Sequence, residues 1–383
     1  MTTSHDRVLT ACAFRRPDRI PRFESFWQYP ETWQARLGDR EGLTDVVIWY
    51  PDETPFPSRA RLLGEEKGYV IEADAWGRIT RRCPGAFFVE TLQAAISQPA
   101  DLDRLEFDSP HLDSRYLTGK MDPSVTHPNE AVMRQALADD KARHCVFGKT
   151  GGPYLRSTYL RGEMEFLMDI AADAPFARAI AERVGNHLIA VGVEQLRRWR
   201  LHDTGLWIYD DMAYNRGPMF SPRQFEQIFL PIYRRMVAAY KEAGAKYVFL
   251  HSDGDIRSLL EMLVAAGIDG INPLERRAHM DVLEVRKRFP RLILTGGMCN
   301  TKTLVSGTPD EIEAEARQII ELGRDGGVVI GNKGCRRRVR ASGRRFTIAP
   351  RFLAALPGAL LRGGLPARRG LGRRFRDFAS GLE

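Results

Sequence analysis

Cysteine is scarce in this sequence: five in 383 residues, at positions 12, 83, 145, 299 and 335, with no CxxC pair. An odd, scattered set excludes a disulfide framework and makes a reducing, cytoplasmic setting the expectation. Long apolar runs are also missing. No stretch approaches the roughly 18 residues needed to cross a bilayer, so no membrane span or membrane partner is expected. The start, MTTSHDRVLTACAFRRPDR, has no apolar core ahead of its charges, which argues against a secretory signal. Neither a GxGxxG after the first strand nor a GxxxxGK[ST] occurs, so the usual glycine-rich nucleotide cradles are excluded.

Acidic residues are depleted at one end. Residues 333–383 hold 14 Lys and Arg against 2 acids, a net +12, which leaves the first 332 residues at −4 within a total of +8. The sequence therefore divides into a body, 1–332, and a basic, Arg-rich tail, 333–383. The abrupt change at KGCRRRVRASGRR reads as a frame-altered or poorly ordered end rather than a nucleic-acid arm. A non-catalytic, basic-tailed binding protein is the function class that the tail alone would suggest.

What the body does contain is alternation. VVIWY (46–50), VFGK (146–149), GLWIY (205–209), YVFL (247–250), IDGINP (268–273), RLILTGG (291–297) and GGVVIG (326–331) read as strands. Helical patterns fall at 163–173, 176–200, 221–243, 255–266, 279–289 and from Thr308 to 322, with others at 5–14 and 31–41. Residues 68–82 alternate like a solvated hairpin, and 100–145 read as irregular with short helical patches. Strands alternating with helices imply right-handed βαβ units and a parallel sheet. Polar residues end nearly every strand: Asp52, Asp210–Asp211, His251 and Asp253, Asn272 and Glu275, and Asn332. Convergence of such ends on one mouth favours an α/β fold of the (β/α)8 TIM-barrel type, with the N-terminal hairpin and helical stretches as insertions.

Several of these residues could carry chemistry. Asp52, in WYPDETPF, is either a carboxylate facing substrate or a turn aspartate bonded to its own backbone. Asp210 and Asp211 point to opposite sides of their strand, so one can enter the mouth, and the pair could bind a cation, accept protons or hydrogen-bond pyrrole-type N–H donors; the plain reading is one helix-capping and one solvated aspartate. In LHSDGD, His251 and Asp253 are i, i+2 and face the same way. With Glu275 as a third ligand they could hold a divalent metal, and carboxylates in place of thiolates favour a harder cation. The plain reading of the same residues is a capping aspartate, Asp253 or Asp255, and a histidine bonded to backbone.

Taken in order, RVLTACAFRRPDRIP, VVIWYPDETPFP, DAWGR, GGPYLRSTYLRGEMEFL, FSPRQFEQIFLPIYRRM, YVFLHSDGDI, AAGIDGINPLE, LVSGTPDEIEAEARQII and GGVVIGN resemble the uroporphyrinogen decarboxylase superfamily. These are TIM barrels that include a haem-pathway decarboxylase and corrinoid-linked methyltransferases. The resemblance implies decarboxylation, or related chemistry, on a tetrapyrrole-like or small cyclic substrate. Asp52 would be the key carboxylate, Tyr159 would position it, Asp210, Asp211, His251 and Asn272 would line the pocket, and no cofactor would be needed. The alternative it implies is methyl transfer linked to a corrinoid, with a divalent metal at His251, Asp253 and Glu275 and a corrinoid protein as partner. A homodimer is compatible with either, and nucleic acid is not an expected partner. Two departures stand out. FESFWQYPETWQ lacks the arginines with which the decarboxylase meets substrate carboxylates, and His251-Ser252-Asp253 carries aspartate where the zinc methyltransferases carry cysteine.

Overall fold

The computed structural model describes residues 2–23, 44–84, 89–119, 126–299 and 302–331, and the backbone of 339–341 and 344–346. The expected helix at 31–41, the FESFWQYPETWQ stretch, Asn332 and nearly all of the basic tail lie outside the described residues.

Eight parallel strands form the central sheet. They are β1 (Arg22–Phe23), β2 (Val46–Trp49), β7 (Cys145–Gly151), β8 (Gly205–Tyr209), β11 (Tyr247–His251), β12 (Gly270–Leu274), β13 (Ile293–Gly297) and β14 (Val328–Gly331), ordered β1-β14-β13-β12-β11-β8-β7-β2. The remaining gap is bridged where Asp45 N donates to Arg22 O at 2.8 Å, so the sheet curls into a TIM barrel. Between β2 and β7 lies an antiparallel four-stranded sheet, β3 (Arg61–Glu66), β4 (Tyr69–Ala73), β5 (Ile79–Arg82) and β6 (Glu90–Gln93). A two-residue hairpin, β9 (Ala213–Tyr214) with β10 (Gly217–Pro218), follows β8. The strands 339–341 and 344–346 pair antiparallel with each other.

Period-two alternation sorts each barrel strand into an inward and an outward set. Outward residues such as Val47, Val146, Leu206, Val248 and Ile271 pack under the helices. Inward, Ile48, Phe147, Trp207, Phe249, Ile293 and Val329 fill the barrel, with Trp207 stacked on Phe249 at 4.9 Å. Moving two residues on from this layer gives Tyr50, Lys149, Tyr209 and His251. Thus one aromatic layer plugs the barrel, and the next layer up is polar and forms the floor of the mouth.

Helices depart from the sequence reading in several places, among them Pro153–Arg161, which the sequence reading did not include. The helix expected at 255–266 spans only Leu260–Ala265, and Asp255 ahead of it binds Arg257 at 2.8 Å. Within the stretch expected to be irregular, Glu130–Arg143 is a 14-residue helix capped by Asn129. Its low amphipathicity hid it: only Met133, Leu137 and Asp140 are buried. The hairpin expected at 68–82 appears as β4 and β5, with β3 and β6 added on its two edges.

The bottom of the barrel is closed by charge. Asp45 is fully buried, and its carboxylate accepts from Arg7 (2.8 Å), Arg19 (2.7 Å), the Arg22 amide (2.8 Å) and Ser4 (2.9 Å). Arg7 also binds Asp18. The RRPDRIP stretch is thereby explained as the clasp that fixes the first helix, Ser4–Cys12, and β1 onto β2. Removing one partner of a buried ion cluster strands the others. Asp45→Ala is therefore expected to lower the free energy of unfolding by about 3 kcal/mol, read from urea unfolding curves. A loss comparable to that of an exposed ion pair would contradict this role.

Candidate active site

The mouth at the C-terminal ends of the strands has two flanks with Tyr209 between them. On one flank, the loop after β2 is clamped by the buried Arg115, whose Nη1 donates to the carbonyls of Asp52 (2.9 Å) and Thr54 (2.6 Å). Alternation then sends the two neighbouring acids of this loop to different places. The Asp52 carboxylate accepts from the amide (2.9 Å) and hydroxyl of Thr54, a turn aspartate bonded to its own loop. Glu53 turns inward and is buried, with Lys149 Nζ at 2.8 Å, Arg156 Nε at 2.7 Å and the Gly151 amide donating to it. His187 donates to the Glu53 carbonyl at 3.1 Å, its imidazole held neutral by burial, which pulls its pKa down to about 4.

Gln195 fixes Lys149 from behind. Its side-chain oxygen accepts from the Lys149 amide (2.8 Å) and its nitrogen donates to the Lys149 carbonyl (2.9 Å). The ammonium lies 4.9 Å from the Tyr50 ring centre and 5.7 Å from that of Tyr209. The Arg156 guanidinium lies over Tyr159 (5.1 Å) and Trp76 (5.5 Å). Trp76 comes from the β4–β5 turn, where Gly77 at φ +76° packs so close to Phe56 that a Cβ would fall 2.9 Å from its ring. The antiparallel sheet thus supplies one wall of the mouth. Tyr159 belongs to this aromatic wall, meeting Trp76 edge-on at 5.1 Å.

Burial raises the cost of charge on Glu53, but Arg156 and Lys149 outweigh it and pull its pKa down to about 2. Lys149 moves to about 8, because burial and the neighbouring Arg156 outweigh its attraction to Glu53.

On the other flank, Asp211, His251 and Asp253 come together, with one ligand atom from each lying within 4.8 Å of the other two. His251 Nε2 is 3.8 Å from both carboxylates. Its Nδ1 meets Asn272 Oδ1 at 2.6 Å, while Asn272 Nδ2 donates to the Thr295 carbonyl at 3.3 Å. That amide orientation makes Nδ1 the donor to Asn272 and turns Nε2 toward the two aspartates. The ring is stacked on Tyr209 at 4.3 Å and 13°. The Asp253 amide donates to Asp211 (2.9 Å), and the Gly254 amide donates to Glu275 (3.1 Å). Gly254 has φ +85°, and a Cβ there would lie 2.5 Å from the Ala213 carbonyl oxygen, so only glycine turns the chain at this point.

The residues singled out from sequence are therefore divided. His251, Asp253, Asp211 and Asn272 converge. Glu275 stands beside them, bound to the loop backbone, with burial as the main cause of its raised pKa. Asp210 is fully buried on the outer side of β8, accepting from the Tyr154 and Leu155 amides and from Tyr233 (2.7 Å). It caps the helix Pro153–Arg161, and burial pushes its pKa up to about 6 against those three donors. Cys299 borders a separate cavity of about 790 Å³ with Arg276, Lys302 and Glu315. Glu53, Lys149 and Arg156 escaped the sequence reading. The available signal was Lys149 two residues beyond Phe147, a charge on the inward face of a strand that runs on to Gly151.

With this geometry in place, comparison with known proteins is decisive at one level. The family described as uroporphyrinogen decarboxylase (URO-D) matches residues 95–340, well over half of the chain. The chain belongs to this family. No curated protein matches it. Among solved structures, a methyltransferase from Methanosarcina mazei is similar, with 14% identity, a TM-score of 0.58, and coverage of 93% of this chain and 98% of its own. At that identity the likeness supports the fold and no particular chemistry. Family membership agrees with the resemblance carried by the ordered motifs.

Two outcomes test the site's electrostatics. Glu53→Gln is expected to cost about 3 kcal/mol at neutral pH. Because the folded-state pKa lies below the free value of 4.5, that contribution is complete above about pH 4.5 and fades as pH falls towards 2. Wild type and variant should converge on the acid side in urea titrations at several pH values, and a gap that stays constant down to pH 2 would refute the assignment.

Proposed function

We propose that this chain is a metal-dependent enzyme of the family, holding one divalent cation at Asp211, His251 and Asp253 and catalysing methyl-group transfer on a small molecule in the barrel mouth. The observation that carries this reading is His251 Nε2, turned by the Nδ1–Asn272 contact toward the Asp211 and Asp253 carboxylates, with one ligand atom of each residue within 4.8 Å of the others. One nitrogen and two carboxylate oxygens suit a borderline or hard divalent ion such as Zn2+, Co2+ or Mn2+. Such a cation supplies Lewis acidity, lowering the pKa of a substrate heteroatom so that it can accept a methyl group. The chain's own residues do the rest. Asn272 fixes the histidine tautomer, Tyr209 holds the imidazole plane by stacking, and the Asp253 amide orients Asp211. A corrinoid protein as methyl donor rests on the family resemblance.

Decarboxylation remains the second reading, favoured by one observation: among the described residues, no donor but Thr54 reaches the Asp52 carboxylate. It requires no metal. The two readings separate cleanly. Chelator-treated protein titrated with Zn2+ or Co2+ should take up about one equivalent, and His251→Ala should weaken binding by at least about 100-fold. Asn272→Ala should weaken it about 10- to 100-fold without displacing a ligand. Wild-type protein that takes up no metal, with turnover that depends on Asp52 alone, would overturn the proposal in favour of decarboxylation.

A further inference from the structure

The Lys149 flank has a charge imbalance that the metal reading leaves unused. Glu53 is one carboxylate facing two cations, Lys149 and Arg156, whose side chains are only 9% and 11% exposed. Oε1 of Glu53 receives Lys149 Nζ and the Arg156 fork, and Oε2 receives the Gly151 amide. Its acceptor capacity on this side is used up. Among the described residues only Glu53 accepts from the Lys149 ammonium, which has three donors. Asp210, the other nearby carboxylate, is fully buried and saturated by Tyr154, Leu155 and Tyr233. Its hydrogen bonds go to the helix terminus and to Tyr233, and its charge acts on Arg156 through space, so Lys149 is the cation of the pair that, among the described residues, Glu53 alone answers. Arg78, the next cation along the wall, is paired with Asp74 at 2.7 Å.

Position matters as much as charge. Lys149 occupies the floor layer together with Tyr50, Tyr209 and His251. Its ammonium is 5.7 Å from the Tyr209 ring, and that ring is 4.3 Å from the His251 ring, so the two functional groups lie within about 10 Å of each other. The carboxylates Asp211, Asp253 and Glu275 all stand on the far flank. The mouth is thus polarised: the Lys149 ammonium, answered among the described residues by Glu53 alone, lies under β2 and β7, and the Asp211, Asp253 and Glu275 carboxylates lie at the ends of β8, β11 and β12.

We propose that Lys149, with Arg156 beside it, anchors a carboxylate group of the substrate, and that this anchoring places the reacting end of the molecule at His251. The substrate class is then a small carboxylic acid, bearing its nucleophilic or methyl-bearing atom a few bonds from the carboxylate. A buried ammonium with open donors and aromatic walls binds a carboxylate by charge-assisted hydrogen bonds, while a neutral amide of the same shape leaves the surplus charge unanswered. This inference rests on the barrel mouth being the substrate site, and not on metal occupancy.

The test uses the full chain and two probes of the same shape, 3-mercaptopropionate and 3-mercaptopropanamide. Calorimetric titrations are run on metal-free and Zn2+-loaded protein. The acid should bind wild type at least about tenfold tighter than the amide in both forms, as a charge-assisted bond predicts. Lys149→Gln, checked for folding by circular dichroism, should bring the acid and amide affinities to within about twofold of each other. In wild type, the acid should also slow acetylation of Lys149 by acetic anhydride, read by peptide mass spectrometry, and the amide should not. That measurement decides the matter should the variant misfold. Equal affinity for acid and amide in wild type, no measurable binding of the acid, or no protection of Lys149 would each overturn the proposal. A protein that binds no metal but keeps the acid preference would sink the metal reading and leave this one standing.

Discussion

The Glu53 carboxylate is the interaction on which the mouth depends. It joins the loop after β2, the inward face of β7 through Lys149 and the Gly151 amide, and the helix Pro153–Arg161 through Arg156. Three segments far apart in sequence meet on one side chain. Burying an ion cluster of this kind seldom adds net stability over a well-packed apolar alternative, but breaking it leaves stranded charge. Its consequence is geometric. Glu53 holds an ammonium at the floor of a barrel where hydrophobic filling would otherwise continue, and Gln195 and Arg115 brace the two backbones that present the pair.

Tyr209 links that hub to the chemistry. It is near the Lys149 ammonium and stacks on His251, whose far nitrogen is tied to Asn272. The floor layer is therefore continuous from β2 to β12, and its charge changes sign along the way. A metal ion would occupy the acidic end, and a substrate anion the basic end. Under this proposal, Lys149 on β7 and Arg156 on the helix after it would supply the cationic contact that the arginine-free stretch FESFWQYPETWQ does not.

Much of this was legible before the fold was known. Strand–helix alternation and polar strand ends pointed to the barrel, and LHSDGD marked a cluster at the strand ends, where His251 and Asp253 meet Asp211 while Asp255 is tied to Arg257. The split of Asp210 and Asp211 followed from strand parity, although parity alone could not say which of them faces inward. The same ambiguity hid Glu53. In WYPDETPF the stiff prolines drew notice to Asp52, yet its side chain closes a local turn, and the direction of its neighbour depends on the Arg115 clamp more than 60 residues away. Lys149 was obscure for a similar reason. A lone lysine at the end of VFGK looks like a solvated terminus until two further residues of strand carry it inside. The four-stranded sheet over the mouth was half visible, since β3 and β6 are mostly exposed and lack a buried face to mark them.

The central claim is that His251 is a metal ligand aligned by its neighbours. X-ray absorption at the cobalt edge of the Co2+-loaded chain tests it most directly, because imidazole gives an outer-shell scattering pattern that carboxylate and water do not. The account predicts one imidazole in an otherwise oxygen shell, absent in His251→Ala. A shell of oxygen alone in wild type, unchanged by that substitution, would contradict it.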